Sequence, residues 1–273
     1  MTAATAADLA ANRRGQKVHL RVVAIAGITY RVVSLRPATR ARFSTNYFHD
    51  TWHIVTGQGG AAVLGRLLWG LAFQRQPGTL IVIDAPHLVP TPFEADRADP
   101  IAIVPAGLTG FDVDHLRALR RRLPAVSTTT IRWHTFGLPA GLDDPAPRSA
   151  WRWTERAAER AREHMDRRAG MICYTAPPPI LREHGAGIYA MRQATTETYY
   201  PLAAGPRWAR YWPDGEVQVF PCFDDDVAAA AVARREVVGG AERPLADHDE
   251  RAAVWAQRSR VQHRRRVARA PRA

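Results

Sequence analysis

The stretch that decides the fold of the first half reads His49-Asp50-Thr51-Trp52-His53-Ile54-Val55-Thr56-Gly57. Two histidines stand four residues apart, and an aspartate follows the first of them. On an α-helix, which advances about 100° per residue, these three side chains share one arc. Imidazoles one helical turn apart, with a carboxylate beside them, are suited to bind a metal ion. The spacing therefore predicts a helix from Arg40 to Trp52 that leads into a metal site.

The sequence on both sides of this motif predicts the surrounding elements. Apolar residues alternate through residues 17–35 around Ala26-Gly27, which predicts a β-hairpin. After the glycines at 57–60, leucines recur at helical spacing and predict a second, amphipathic helix; they are Leu64, Leu67, Leu68 and Leu71. We therefore expect an α+β protein with an N-terminal β-hairpin, a predominantly helical core in the first half and a mixed α/β second half.

Composition along the chain suggests four segments. Residues 1–16 are expected to be a flexible N-terminus, and residues 17–144 a motif-bearing domain. The stretch 138–149 is rich in proline and glycine and marks a boundary near residue 145. Residues 145–245 then form a second α/β region, and residues 246–273 a basic tail that we expect to be disordered. No internal repeat is recognisable.

The charge is concentrated at the C-terminal end. The net charge is +12, and only Lys17 of the 38 basic residues is a lysine. Residues 251–273 contain eight arginines and no acidic residue, so the rest of the chain carries only 12 − 8 = +4. Such a tail can bind phosphates through counterion release, although a solvated, disordered end is the simpler explanation.

Two further features limit the class of protein. Cys173 and Cys222 lie far apart and outside any Cys-x-x-Cys pattern, which predicts neither a disulfide framework nor a thiolate metal site. The longest apolar-rich stretch, residues 61–73, is interrupted by Arg66 and shorter than the roughly 20 residues that span a bilayer. No secretory signal opens the sequence. We expect a cytoplasmic protein without a transmembrane segment.

The motif and its continuation resemble the coenzyme Q biosynthesis protein four family. The signature of that family is His-Asp-x-x-His, a few apolar residues and a glycine, and then Leu-Gly-Glu at the start of an apolar helix. Here the run from His49 to Gly57 is followed by Leu64-Gly65-Arg66-Leu67. Arg66 thus stands where the family has its glutamate ligand. The resemblance covers about residues 40–90.

The resemblance implies that His49, Asp50 and His53 bind a divalent metal ion (Zn, Fe or Mg). Arginine cannot coordinate a cation, so two interpretations of Arg66 stay open. Either a loop residue replaces the missing carboxylate, or the site is degenerate and Arg66 binds an anionic group. The candidates for substitute ligands are Asp84, His87 and Glu94.

The resemblance also implies a substrate class. The family acts on a prenylated aromatic ring in quinone synthesis, where it is associated with ring decarboxylation and hydroxylation. An isoprenoid or aromatic small molecule would then lie against the leucine face of the second helix. Packing of that face into the core is the simpler alternative, and whether the protein is an enzyme stays open.

A different interpretation uses the glycines that follow the motif. Residues 52–56 would be a strand, Gly57, Gly59 and Gly60 a phosphate-binding turn, and Asp84 the acidic residue that contacts a ribose. Asp84 lies 22 residues after Ala62, close to the offset of about 20 expected for a dinucleotide-binding unit. A third interpretation is a non-enzymatic module whose tail, residues 251–273, binds nucleic acid or an acidic partner.

Overall fold

The computed structural model describes residues 15–138, 156–203, 213–241 and 245–269. Within these ranges the protein is α+β, as the sequence predicts. Its strands are β1 (Gln16–Ile25), β2 (Ile28–Ser34), β3 (Phe43–Phe48), β4 (Thr51–Thr56), β5 (Thr79–Ile83), β6 (Ile101–Pro105), β7 (Thr129–Trp133), β8 (His164–Arg168), β9 (Met171–Ala176), β10 (Thr198–Leu202) and β11 (Gly215–Val219). Its α-helices are α1 (Gln58–Leu71), α2 (Val113–Arg122), α3 (Ala157–Arg160), α4 (Pro178–Ala190), α5 (Phe223–Gly240) and α6 (Asp247–Arg269).

The N-terminal hairpin and the leucine-rich helix are confirmed as β1–β2 and α1. The predominantly helical core of the first half is wrong, because residues 15–138 contain seven strands and two α-helices. The error lies at the motif, where residues 43–56 form a β-hairpin. His49 and Asp50 are its two turn residues, with φ of 51° and 59°. Positive φ at both positions is typical of the type I′ turn that joins tightly paired strands.

The strands form two sheets that interleave the two halves of the chain. The larger sheet has the order β7-β1-β2-β5-β6-β9-β8, and the smaller one the order β10-β11-β4-β3. Strands of the two halves meet in parallel pairs, β6 with β9 and β4 with β11. The expected boundary near residue 145 lies outside the described residues. On either side of it, however, the two halves share both sheets and one core.

The chain contains a structural repeat that the sequence does not reveal. The order β3-β4-α1-β5-β6 recurs as β8-β9-α4-β10-β11, and each copy exchanges strands with the other. Residues 49–71 correspond to 169–191 with a constant shift of 120 positions, and both hairpin turns have positive φ. The only identical pair in these 23 aligned positions is Gly65 and Gly185. The two units therefore share one order of elements and exchange strands reciprocally.

The two central helices cross at this pair of glycines. A Cβ placed on Gly65 would lie 2.7 Å from the carbonyl oxygen of Gly185 and 2.6 Å from Cβ of Tyr189. A Cβ on Gly185 would lie 2.8 Å from the backbone nitrogen of Trp69. The helices thus touch backbone to backbone, which brings both sheets close enough to share the main core. The four leucines of α1 lie fully inside that core.

Helices also cover the outer faces of the sheets. Leu116 and Leu119 of α2 pack on the larger sheet, and Phe223 and Val227 of α5 pack on the smaller one. Residues 247–269 of the tail, which we expected to be disordered, form α6. Its apolar positions are seven residues apart and face α5, so burial of that stripe stabilises the helix; they are Val254 and Val261. No helix among the described residues has the length and apolar character needed to cross a membrane.

A buried polar network fixes the second half. The Glu163 side chain, which has no exposed surface, accepts hydrogen bonds from the Tyr174 hydroxyl at 2.7 Å, His184 Nε2 at 2.7 Å and the Ala203 N–H at 2.6 Å. The guanidinium of Arg160 lies 3.6 Å from its second oxygen. Burial alone would raise the pKa of Glu163, but the charge of His184 and these hydrogen bonds together lower it. The network joins α3, β9, α4 and the end of β10.

Candidate ligand-binding site

The predicted metal ligands do not lie on a helix. His49 and Asp50 are exposed in the hairpin turn, where Asp50 Oδ1 accepts a hydrogen bond from Tyr47 at 3.3 Å. His53 follows on β4, is buried, and its Nδ1 has no hydrogen-bond partner among the described residues. The prediction that these three side chains share one arc of a helix is therefore wrong, because the chain forms a two-residue turn there. Metal binding by these residues stays a prediction.

His53 gives the protein a distinctive pH dependence. Burial, assisted by the charge of His49, lowers its pKa to about 4 from the ordinary value of 6.5. Between these two pH values the unfolded chain binds a proton that the folded protein excludes. Stability therefore falls as the pH drops from about 6.5 to about 4.

We expect His53→Gln to remove this contribution. Denaturant unfolding at pH 7 and pH 4 should show a loss of stability on acidification that is smaller than in wild type by roughly 2–3 kcal/mol. His263→Asn, at an exposed position of α6, is the matched control and should keep the wild-type difference. An unchanged pH dependence in His53→Gln would contradict the burial of a neutral imidazole.

Arg66 and its leucine neighbours belong to the helix interface. Arg66 Nη2 donates to the Tyr189 hydroxyl at 3.2 Å, and the guanidinium lies 5.1 Å from the centre of that ring. Arg66 is thus directed at α4. The leucines beside it pack into the core. The structure therefore favours core packing over a ligand-binding surface for that face of α1.

The three substitute ligands lie in different surroundings. Asp84 follows β5 and lines a cavity, whereas Glu94 lines another one. His87 is buried, and its Nδ1 donates to the carbonyl oxygen of Ala41 at 3.1 Å. Across the described ranges, no three His, Cys, Asp or Glu side chains are grouped so that they could hold a metal ion.

The glycine turn does open a helix, as the dinucleotide interpretation expects. Gly60 is required there, since a Cβ would lie 1.8 Å from Oγ1 of Thr56. However, β4 and β5 belong to different sheets, so β4, α1 and β5 do not form a dinucleotide-binding βαβ unit. The cavity at Gly57–Gly60 measures about 330 Å³ and includes Arg40 and Arg42 but not Asp84. The two halves of the predicted cofactor site are thus in separate cavities.

The cavity at Asp84, which we call the Asp84 pocket, has a volume of about 720 Å³. Its charged side chains are Arg21, Asp84, Arg97 and Arg120, and its walls include Leu88, Val89, Pro90, Pro100 and Pro124. Asp84 lies just past the carboxyl end of β5, which runs parallel to its neighbour β2. Ligands commonly bind beyond the carboxyl ends of neighbouring parallel strands. The pocket thus combines three cationic groups with one carboxylate and an apolar wall.

Local packing positions the charged groups of this pocket. Arg21 Nη1 donates to Oγ of the buried Ser34 at 2.6 Å, and its buried Nε has no hydrogen-bond partner in the part of the chain that the structure describes. Arg120, near the end of α2, donates to the carbonyl oxygen of Ala169 at 3.0 Å. Burial raises the pKa of the Asp84 carboxyl, and the charge of Arg21 offsets this rise in part. Asp84 takes part in no ion pair within the described part of the chain.

Sequence reasoning identified Asp84 but missed the arginines of this pocket. Arg21 lies on β1, Arg97 in the loop before β6 and Arg120 on α2. No local spacing connects these positions. Their only common signal is residue type, in a chain with 37 arginines.

The basic tail is largely engaged within the protein. Arg251 pairs with Asp96 at 2.9 Å, and Arg264 pairs with Glu236 at 2.6 Å. The guanidinium of Arg258 lies 4.4 Å from the centre of the Trp255 ring. These contacts reduce the charge available to a polyanion, and nucleic-acid binding by residues 251–273 stays a prediction. Comparisons with protein-family models, with curated proteins and with solved structures find no match for this chain.

Proposed function

We propose that the protein binds a small organic anion in the Asp84 pocket. The arginines hold the carboxylate or phosphate of the ligand, and Asp84 accepts a hydrogen bond from a hydroxyl or N–H group of the same molecule. One observation carries the proposal: three arginines converge on a cavity whose single carboxylate is half-buried and forms no ion pair with any residue that the structure describes.

The charges of the pocket define the polar part of the ligand. Arginine guanidinium groups form strong, directional hydrogen bonds to carboxylates and phosphates. Asp84 repels such an anion unless the ligand also presents a donor, because an ionised carboxylate only accepts hydrogen bonds. A ligand with an anionic group at one end and a donor elsewhere satisfies all four side chains.

The walls define the rest of the molecule. Leu88, Val89 and three prolines offer apolar surface, and a volume of about 720 Å³ is in the usual range of small-molecule sites. An aromatic or aliphatic body therefore fits better than a bare inorganic ion. The aromatic substrates implied by the quinone-biosynthesis resemblance belong to this ligand class.

We expect Arg21→Met to weaken binding of an aromatic carboxylate about tenfold or more. A hydrogen bond to a charged group contributes about 1.5–3 kcal/mol, and 1.4 kcal/mol corresponds to a factor of ten in affinity. The measurement is calorimetric titration with 4-hydroxybenzoate, which has a carboxylate, a ring and a hydroxyl donor, and with glycolate as the ligand that lacks the apolar body. Arg117→Met is the matched control, since Arg117 pairs with Asp114 on the exposed side of α2. Equal affinities for 4-hydroxybenzoate and glycolate, or an equal loss in Arg117→Met, would overturn the proposal.

Asp84→Asn separates the role of the carboxylate from the role of the arginines. At pH 8, inorganic phosphate should bind this variant more tightly than wild type, because the opposing charge is gone while the arginines remain. Arg97→Met should weaken phosphate binding in both backgrounds. A phosphate affinity that is unchanged by both substitutions would place the anion outside the Asp84 pocket.

A further inference from the structure

The face of the larger sheet beside the Asp84 pocket carries a group of basic side chains. Val18 and Leu20 of β1 pack into the main core, so the residues that alternate with them face the other side of the sheet. These residues are Lys17, His19 and Arg21. On β7, Arg132 stands directly opposite Lys17, and both residues are exposed. Basic residues of two neighbouring strands thus share one face.

Arg36 adds a further basic side chain from the other neighbour of β1. It lies two residues beyond Ser34, the strand partner of His19, and Leu35 between them packs into the main core. Burial lowers the pKa of His19, and the charges of Arg21 and Arg36 lower it further, which places both guanidinium groups near the imidazole. We call this group the basic face; its members are Lys17, His19, Arg21, Arg36 and Arg132.

The positive charge of the basic face is not compensated within the part of the chain that the structure describes. Lys17, Arg36 and Arg132 form no ion pair with a described acidic residue. Lys17 and Arg132 repel each other, because like charges directly opposite in an antiparallel pair destabilise it. An anion that lies between them removes this repulsion. The basic face is therefore suited to bind a ligand with several negative charges.

The basic face continues into the Asp84 pocket. Arg21 belongs to both, because its side chain also lines the pocket. Farther along β1, α2 covers the strand, and Arg122 Nη1 donates to the carbonyl oxygen of Ala24 at 2.8 Å. A ligand chain that leaves the pocket therefore meets α2 in one direction and the exposed Lys17 in the other. At about 3.3 Å per residue, the path from Arg21 to Lys17 is about 13 Å long.

We infer that the ligand of the Asp84 pocket carries two or more phosphate groups, as a nucleoside diphosphate or triphosphate does. Its organic end occupies the pocket, where Asp84 accepts a hydrogen bond from an amino group such as that of adenine, and its phosphates lie along the basic face. The inference rests on the proposed function, because the pocket has to hold the organic end. It narrows the ligand class, since a single carboxylate or phosphate engages Arg21 but leaves Lys17 and Arg132 unpaired. Arginine and lysine both bind phosphate oxygens through charge-assisted hydrogen bonds.

Calorimetric titration of the full-length protein with AMP, ADP and ATP tests the inference, at pH 8, at one ionic strength and with a metal chelator present. We expect the affinity to rise with each added phosphate. Lys17→Met and Arg132→Met should each weaken ATP binding about tenfold, the effect of one hydrogen bond to a charged group, and leave AMP binding within about twofold of wild type. Equal affinities for AMP and ATP in wild type would overturn the inference.

Arg31→Met is the matched control. Arg31 is on β2, two residues before Val33 of the main core, and it therefore faces the opposite side of the same sheet. This variant removes the same unit of charge and should keep the ATP affinity of wild type. An equal loss in Arg31→Met would show that only the net charge matters and would contradict the inference.

Two partial ligands separate the failure of this inference from the failure of the proposed function. The compound 4-hydroxybenzoate occupies only the Asp84 pocket, and inorganic triphosphate only the basic face. If 4-hydroxybenzoate binds but AMP and ATP have equal affinities, the inference alone is refuted. If ATP binds no more tightly than inorganic triphosphate, the pocket holds no organic end and both are refuted. An oligothymidylate that binds more tightly than ATP and loses affinity in Lys17→Met would assign the basic face to a nucleic-acid backbone and contradict the inference.

Discussion

Gly65→Ala is expected to destabilise the protein by at least about 2 kcal/mol. The new methyl group would lie 2.6 Å from Cβ of Tyr189 and 2.7 Å from the carbonyl oxygen of Gly185, both of them far inside van der Waals contact. Neither atom belongs to a flexible side-chain end, so α1 and α4 have to move apart. Overpacking of this kind typically costs about 1–3 kcal/mol, and here it disturbs the core that both sheets share. Denaturant unfolding measures the loss.

The same helix provides the control. Gly59 is exposed in the first turn of α1, and a Cβ there meets nothing within 4 Å. Because glycine is a poorer helix former than alanine, Gly59→Ala should stabilise the protein by up to about 1 kcal/mol. If both substitutions changed stability in the same direction and by the same amount, the close crossing of the helices would be refuted.

Glu163→Gln is expected to have the other large effect, a loss of about 3–5 kcal/mol. Removal of one member of a buried ion pair leaves the other charge uncompensated in a medium that solvates it poorly. Arg160 and His184 would both lose their carboxylate partner, whereas the amide keeps the shape of the side chain. Unfolding at pH 7 measures the loss. Asp114→Asn, which removes an exposed ion pair with Arg117, is the control and should leave stability almost unchanged.

The pH dependence identifies the cause of this loss. Since the pKa of Glu163 is lowered in the folded protein, its contribution is present above the unfolded pKa of roughly 4.3 and disappears as the pH falls through the folded value. The difference in the free energy of unfolding between wild type and Glu163→Gln should therefore become smaller in strong acid. A gap that stays constant down to pH 2 would point to lost packing instead of lost charge.

Local patterns predicted those elements whose signal is contained in a short segment. The alternation in residues 17–35 specified a hairpin, and the leucine spacing after residue 60 specified α1. The same reasoning was wrong at residues 40–53, where i, i+4 spacing of histidines coincides by chance with a hairpin. The turn at His49 and Asp50 is invisible to such reasoning, because neither residue is the glycine that usually marks positive φ. The pairing of β3 with β4 outweighed helix-compatible spacing.

The candidate site was predictable only in part. Asp84 follows an apolar run and stood out as a single acid at a strand end. Arg21, Arg97 and Arg120 come from three separate elements and meet only when α2 and the loop before β6 close over the larger sheet. The repeat was hidden for a related reason, since the two units share an order of elements while only one residue pair is identical among the 23 aligned positions.

The sequence by itself determined the α+β class, the N-terminal hairpin, the helix α1 and the concentration of charge near the C-terminus. These properties follow from the spacing of apolar residues and from composition. Both signals are contained in short segments of the sequence. Tertiary structure alone decided that the halves interleave their strands, that Gly65 and Gly185 bring the helices into contact, and that three arginines meet at Asp84. Such features depend on contacts between residues on separate elements of the chain, such as Asp84 with Arg21 and Gly65 with Gly185, which no local spacing encodes.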